Sequence, residues 1–177
     1  VVTAKAVICG KGVYTNSLTK TFTIRPETMA SAVITGCKAK YSYTGKQVKP
    51  LIQVVWNGKI LRNNTDYTLL YKNNKKRGSA GIVVTGKGNY SGTLTASFTI
   101  VRASVKKASV TGLKAVYART GKAVKPKVTV KLGGKKLKKK RDYILSYRKN
   151  KKKGTALLYV KGVGNYSGTK KMKFKIR

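Results

Sequence analysis

The chain contains no histidine, and only three of its 177 residues are acidic: Glu27, Asp66 and Asp142. General acid–base and nucleophilic catalysis need positioned carboxylates, imidazoles or activated thiols. Those groups are absent or scattered here, and the only thiols are Cys9 and Cys37, so no enzyme activity is expected. Two cysteines without a histidine cannot supply the four ligands of a structural zinc site, and neither a metal nor a cofactor is expected. No apolar run approaches the roughly 18 residues that a membrane-spanning helix requires. What the chain has in excess is positive charge. Lys and Arg total 41, which gives a formal net charge of +38, while 41% of the residues are hydrophobic, enough for a packed core.

Sliding the sequence against itself gives one productive offset, 76 residues. It places Thr44-Gly45-Lys46 and Val48-Lys49-Pro50 on Thr120-Gly121-Lys122 and Val124-Lys125-Pro126, and Asp66-Tyr67 on Asp142-Tyr143. It also carries Gly88-Asn89-Tyr90-Ser91-Gly92-Thr93 onto Gly164-Asn165-Tyr166-Ser167-Gly168-Thr169. Between residues 25–100 and 101–176, 35 of 76 positions are identical without a gap, the mark of a tandem duplication. Run backwards, the offset sets Gly10-Lys11-Gly12, Tyr14 and Phe22-Thr23-Ile24 under Gly86-Lys87-Gly88, Tyr90 and Phe98-Thr99-Ile100. Three segments are therefore expected: 1–24 as the last third of a preceding repeat, 25–100 as repeat 1, and 101–177 as a strongly basic repeat 2.

Each repeat is patterned as strand and turn. Val128, Val130 and Leu132 alternate with Lys127, Thr129 and Lys131 before a Gly133-Gly134 turn, and repeat 1 has Ile52, Val54 and Trp56 before Asn57-Gly58, a strong hairpin signal. Tyr143, Leu145 and Tyr147 form a second alternating run, Ala156, Leu158 and Val160 a third, and Met172, Phe174 and Ile176 a fourth. No window has a 3.6-residue apolar period. The expected fold is all-β, with tandem small antiparallel immunoglobulin-like β-sandwiches of six or seven short strands per repeat and almost no helix.

The set formed by Tyr117, Thr120 to Pro126, Gly133-Gly134-Lys135, Asp142-Tyr143 to Tyr147, Asn150 to Gly154 and Gly162 to Thr169 resembles the bacterial immunoglobulin-like repeats of Gram-positive secreted and cell-surface proteins. The resemblance covers the whole chain and implies an extracellular, non-enzymatic stalk or accessory module beside adhesins, glycan-degrading enzymes or cell-wall proteins. The lysine load sets this chain apart from commoner members. So do the cysteines, since the other copies have Thr85 or Lys161 in place of Cys9 and Leu113 in place of Cys37.

The charge is unevenly placed. Residues 25–100 carry a net +10 and residues 101–176 a net +24. Comparing the copies, Leu51, Val55, Ile60, Asn63, Asn64 and Thr65 become Lys127, Lys131, Lys136, Lys139, Lys140 and Arg141, while the alternate apolar positions stay apolar. In the last strand Lys171, Lys173 and Lys175 take every outward position, spaced about 7 Å apart. Two loop clusters add to them: Lys135-Lys136 with Lys138 to Arg141, and Arg148-Lys149 with Lys151, Lys152 and Lys153. These sixteen residues are the expected polyanion-binding set. The excess of lysine over arginine suits delocalised attraction better than bidentate readout.

Other residues read as structural. Tyr67, Tyr71, Tyr143 and Tyr147 have core or half-core spacing, and Trp56 falls on an inward position. Tyr90 and Tyr166 look like plugs tying a loop to the sheet, and Asp66 and Asp142 like acceptors of backbone hydrogen bonds in turns. Cys9 and Cys37 are candidates for a disulfide joining 1–24 to repeat 1, with two free thiols as the alternative. The functional expectation is attachment to an anionic polymer, cell-wall teichoic acid or an acidic polysaccharide. A passive stalk is the main competitor. Non-specific nucleic-acid binding ranks below both, because no helix-turn-helix, RNP, KH or zinc-finger pattern appears.

Overall fold

The computed structural model describes residues 1–177, and its only helical element is one 3-10 turn at Val105–Lys107. The chain opens with a hairpin of β1 (Val2–Cys9) and β2 (Ser17–Ile24). Nine strands follow: β3 (Glu27–Thr28), β4 (Val33–Thr35), β5 (Lys40–Ser42), β6 (Gln53–Trp56), β7 (Lys59–Ile60), β8 (Tyr67–Lys72), β9 (Gly78–Gly86), β10 (Tyr90–Ser91) and β11 (Thr93–Val101). They recur 76 residues later, to within a residue, as β12 (Ala103–Ser104), β13 (Ser109–Thr111), β14 (Val116–Tyr117), β15 (Thr129–Leu132), β16 (Lys135–Lys136), β17 (Tyr143–Arg148), β18 (Gly154–Gly162), β19 (Tyr166–Ser167) and β20 (Thr169–Ile176).

The sequence repeat is thus a repeat of structure. A three-stranded sheet β4-β6-β7 recurs as β13-β15-β16, and a four-stranded sheet β5-β11-β9-β8 recurs as β14-β20-β18-β17. The fold is all-β and of sandwich type, but its sheets are mixed: β14 runs parallel to β20 and β12 parallel to β19, each through two residue pairs. Such two-residue strands have no alternation to reveal them, which is why nine strands replace the six or seven that the pattern suggests. The hairpin turns are the expected ones. Asn57 and Gly58 have φ of 45° and 76°, and Gly133 and Gly134 have 55° and 76°. Two successive positive φ values match the twist of the flanking strands.

The chain divides into two compact units. The first comprises Val1–Lys38, Pro50–Lys72 and Gly81–Ser97. Met29, Val54, Leu61, Tyr67, Ile82 and Val84 are buried in it. The second comprises Ala39–Lys49, Asn73–Ala80 and Phe98–Arg177, so it holds all of repeat 2 together with short pieces of repeat 1. Its core draws on both sheets: Val130 comes from the three-stranded layer, and Ala156, Leu158, Val160, Phe174 and Ile176 from the four-stranded one, with Val105 and Leu137. Each of these side chains apart from Ala156, fully buried, contributes about 1.5–3 kcal/mol. Tyr43 packs against this core and meets the Tyr166 ring edge-on at 5.8 Å.

The β1–β2 hairpin forms a two-stranded sheet of its own. Its register pairs Ala4 with Phe22, Ile8 with Leu18 and Val2 with Ile24, so these residues and Ala6 share one face. That face is the counterpart, 76 residues earlier, of the buried Ala80, Ile82, Val84, Phe98 and Ile100. On the hairpin it is open: Ile8, Phe22 and Ile24 are 63%, 52% and 54% exposed.

Candidate polyanion-binding surface

All sixteen basic residues of the expected set lie in the second unit, and all are exposed. They do not form one rail. Lys171, Lys173 and Lys175 stand on the outer face of the four-stranded sheet, where their inward neighbours Phe174 and Ile176 are buried. Lys131, Lys135 and Lys136 belong to the three-stranded sheet, on the other side of the shared core. Lys138 to Arg141 and Lys149 to Lys153 occupy the connections into β17 and from β17 to β18, with Arg148 at the end of β17. Charge therefore covers both faces of one sandwich and the loops that join its strands.

Several lysines sit where lysine is unfavourable. Lys140 and Lys149 have φ of 71° and 54°, in the left-handed region. That conformation disfavours residues with a long side chain and is best tolerated, glycine aside, by asparagine or aspartate. Repeat 1 has Asn64 and Asn73 there, with φ of 67° and 53°. On the three-stranded sheet Lys131 lies directly opposite Lys136, whereas the same pair in repeat 1 is Val55 and Ile60. Like charges placed opposite each other on a sheet are destabilising. A lysine that served only to solubilise the surface would be free to avoid such positions.

The single acid of repeat 2 is held within this field. Asp142 is 5% exposed. It accepts hydrogen bonds from the Lys138 backbone N–H at 2.8 Å and from Arg141 through Nε at 3.0 Å and a terminal guanidinium nitrogen at 2.9 Å. The Arg141 hydrogen bond, with the Lys138 N–H and nearby positive charge, holds its carboxyl below the usual carboxylate range, against the opposing effect of burial. Asp66 accepts the equivalent bond from the Arg62 N–H at 2.8 Å. Both are turn acceptors, as expected.

The aromatic residues pack. Tyr67 and Tyr143 are buried, and the Tyr71 and Tyr147 hydroxyls donate to the carbonyls of Pro50 and Pro126 at 2.8 and 2.9 Å. Burial pushes the Tyr143 and Tyr147 hydroxyls above the ordinary tyrosine range, so both stay neutral. Trp56 donates from its indole to the Thr28 carbonyl at 3.0 Å and meets the Tyr90 ring edge-on. Tyr90 is buried, and its hydroxyl accepts from Lys59 at 3.3 Å. Cys9, exposed, and Cys37, half-buried, are both free thiols, and no disulfide joins them.

Two features lie beyond the sequence reading. On the outer face of the four-stranded sheet, Tyr159 is paired in register with Lys171 and Leu157 with Lys173, and the Arg148 guanidinium lies over the Tyr159 ring at 5.8 Å. The row of ammonium groups thus has apolar neighbours. Lys170, by contrast, turns away from the row and donates to the Ala108 carbonyl at 2.6 Å. The second feature is a groove of about 740 Å³ beside β17, lined by Pro126, Tyr143, Leu145 and Tyr147 together with five lysines. Strand parity places these side chains on a face, but only the packing of the two sheets makes a concavity of them. No family model, no curated protein and no solved structure matches the chain.

Proposed function

We propose that the chain is a non-enzymatic, extracellular immunoglobulin-like repeat module of a Gram-positive surface, which holds the polypeptide carrying it to an anionic polymer, teichoic acid or an acidic polysaccharide. The observation that carries this reading is the presence of exposed lysines where they cost stability: in the left-handed turns at Lys140 and Lys149 and in the opposed pair Lys131 and Lys136. The same backbone in repeat 1 is built with asparagine and apolar residues. Positive charge retained against its structural cost marks a use for the charge itself. The mechanism is release of counterions condensed on the polymer as ammonium groups replace them.

The test is retention of the full chain on purified Gram-positive cell walls, before and after removal of teichoic acid. Binding that elutes with salt supports the reading, and teichoic acid removal separates the two polymers. A chain that passes through untreated walls at low salt is a spacer, and the reading fails.

A further inference from the structure

The groove beside β17 combines an apolar floor with a cationic rim. Its accessible floor is the half-buried Leu145 and Tyr147, laid over the buried Pro126 and Tyr143, and its rim is Lys125, Lys127, Lys136, Lys138 and Lys139. A volume of about 740 Å³ lies within the usual size of small-molecule sites, which are mostly apolar with a few oriented polar groups. Three of the five rim lysines replace uncharged residues of repeat 1. Lys127, Lys136 and Lys139 stand where repeat 1 has Leu51, Ile60 and Asn63, and there Leu51 is 94% and Ile60 57% exposed. The scaffold therefore tolerates apolar side chains at two of these positions without burying them, and neither core packing nor backbone geometry calls for lysine.

We propose that this groove is a subsite for the sugar rings of an acidic polysaccharide, each ring resting on the half-buried Tyr147 and Leu145 while its carboxylate meets the lysine rim. The inference rests on the polyanion-binding reading and narrows it. A chain of phosphates offers the rim its charge but gives the floor nothing to cover, whereas a uronic acid residue presents an apolar ring face and an anion together. Lysine suits such a rim, because a flexible point charge follows a carboxylate without demanding one geometry. The outer row Lys171, Lys173 and Lys175 lies on the other sheet's open face and serves any polyanion alike.

The test uses the full chain and two probes, polygalacturonate and linear polyphosphate, with binding followed by titration calorimetry at one fixed ionic strength. Two triple variants remove the same charge by borrowing residues that repeat 1 carries at the same positions, so both are compatible with the fold. The groove variant is Lys127→Leu, Lys136→Ile and Lys139→Asn, and the row variant is Lys171→Thr, Lys173→Ser and Lys175→Thr. Circular dichroism of each confirms the fold. On polygalacturonate the groove variant is expected to lose about tenfold and the row variant about threefold, whereas on polyphosphate the two should lose equally. Equal losses on both probes overturn the subsite and leave the polyanion surface standing. A wild-type chain that binds neither probe overturns the subsite and the surface together.

Discussion

Lys140 and Lys149 carry their charge on backbone that strains any long side chain. Replacing each by the asparagine of repeat 1 should relieve that strain and some local repulsion. The double variant Lys140→Asn, Lys149→Asn is expected to gain about 1 kcal/mol in urea unfolding while binding anionic polymer more weakly. A loss of stability would show that these lysines are structural. Asp142 works in the opposite sense. Its carboxyl is lowered in the folded chain, so its contribution is present above the unfolded value near 3.9 and is lost as pH falls through the lowered folded value. Asp142→Asn should therefore cost about 1–2 kcal/mol at neutral pH and flatten the loss of stability below about pH 4. Thermal unfolding between pH 2 and 7 checks both parts, and an unchanged acid limb would remove Asp142 from the account.

At the scale of strands, the two outward faces behave differently from the inward ones. Lys171, Lys173 and Lys175 alternate with the inward Met172, Phe174 and Ile176, so changing all three to Glu should weaken polymer binding with little change in melting temperature. A large fall in melting temperature would mean that these side chains support the fold. The hairpin offers a sharper contrast, because Phe22 and Phe98 are equivalent in the repeat but are 52% and 2% exposed. Phe98→Ala should cost about 3–5 kcal/mol and Phe22→Ala close to nothing in the monomer. Equal costs would mean that the hairpin face is covered in solution. Period-two alternation makes the long strands legible, and it marks Ala156, Leu158 and Val160 as the buried side of β18. It could not show β12 or β19, since two residues have no period. Nor could it show that the cations divide between two layers, because parity assigns a residue to a face but not to a sheet. Lys127, Lys136 and the Tyr147 ring meet at one groove only through the folding of one sheet over the other.

For the molecule as a whole, a net charge of +38 acts against compactness and in favour of long-range attraction to anything negative. The same scaffold is used twice with very different charge, and most of the added charge stands at exposed positions of strands and loops, so electrostatics has changed while the layout of strands has not. The most direct experiment compares the full chain with a variant in which six residues revert to those of repeat 1: Lys127→Leu, Lys131→Val, Lys136→Ile, Lys139→Asn, Lys140→Asn and Arg141→Thr. Affinity for a phosphate polymer is measured across a salt series. If about six cations engage the polymer, the slope of log affinity against log salt is roughly −4 to −5 for the native chain and much shallower for the variant. A native affinity that does not change with salt, or a variant that keeps the native slope, would contradict polyanion binding through repeat 2.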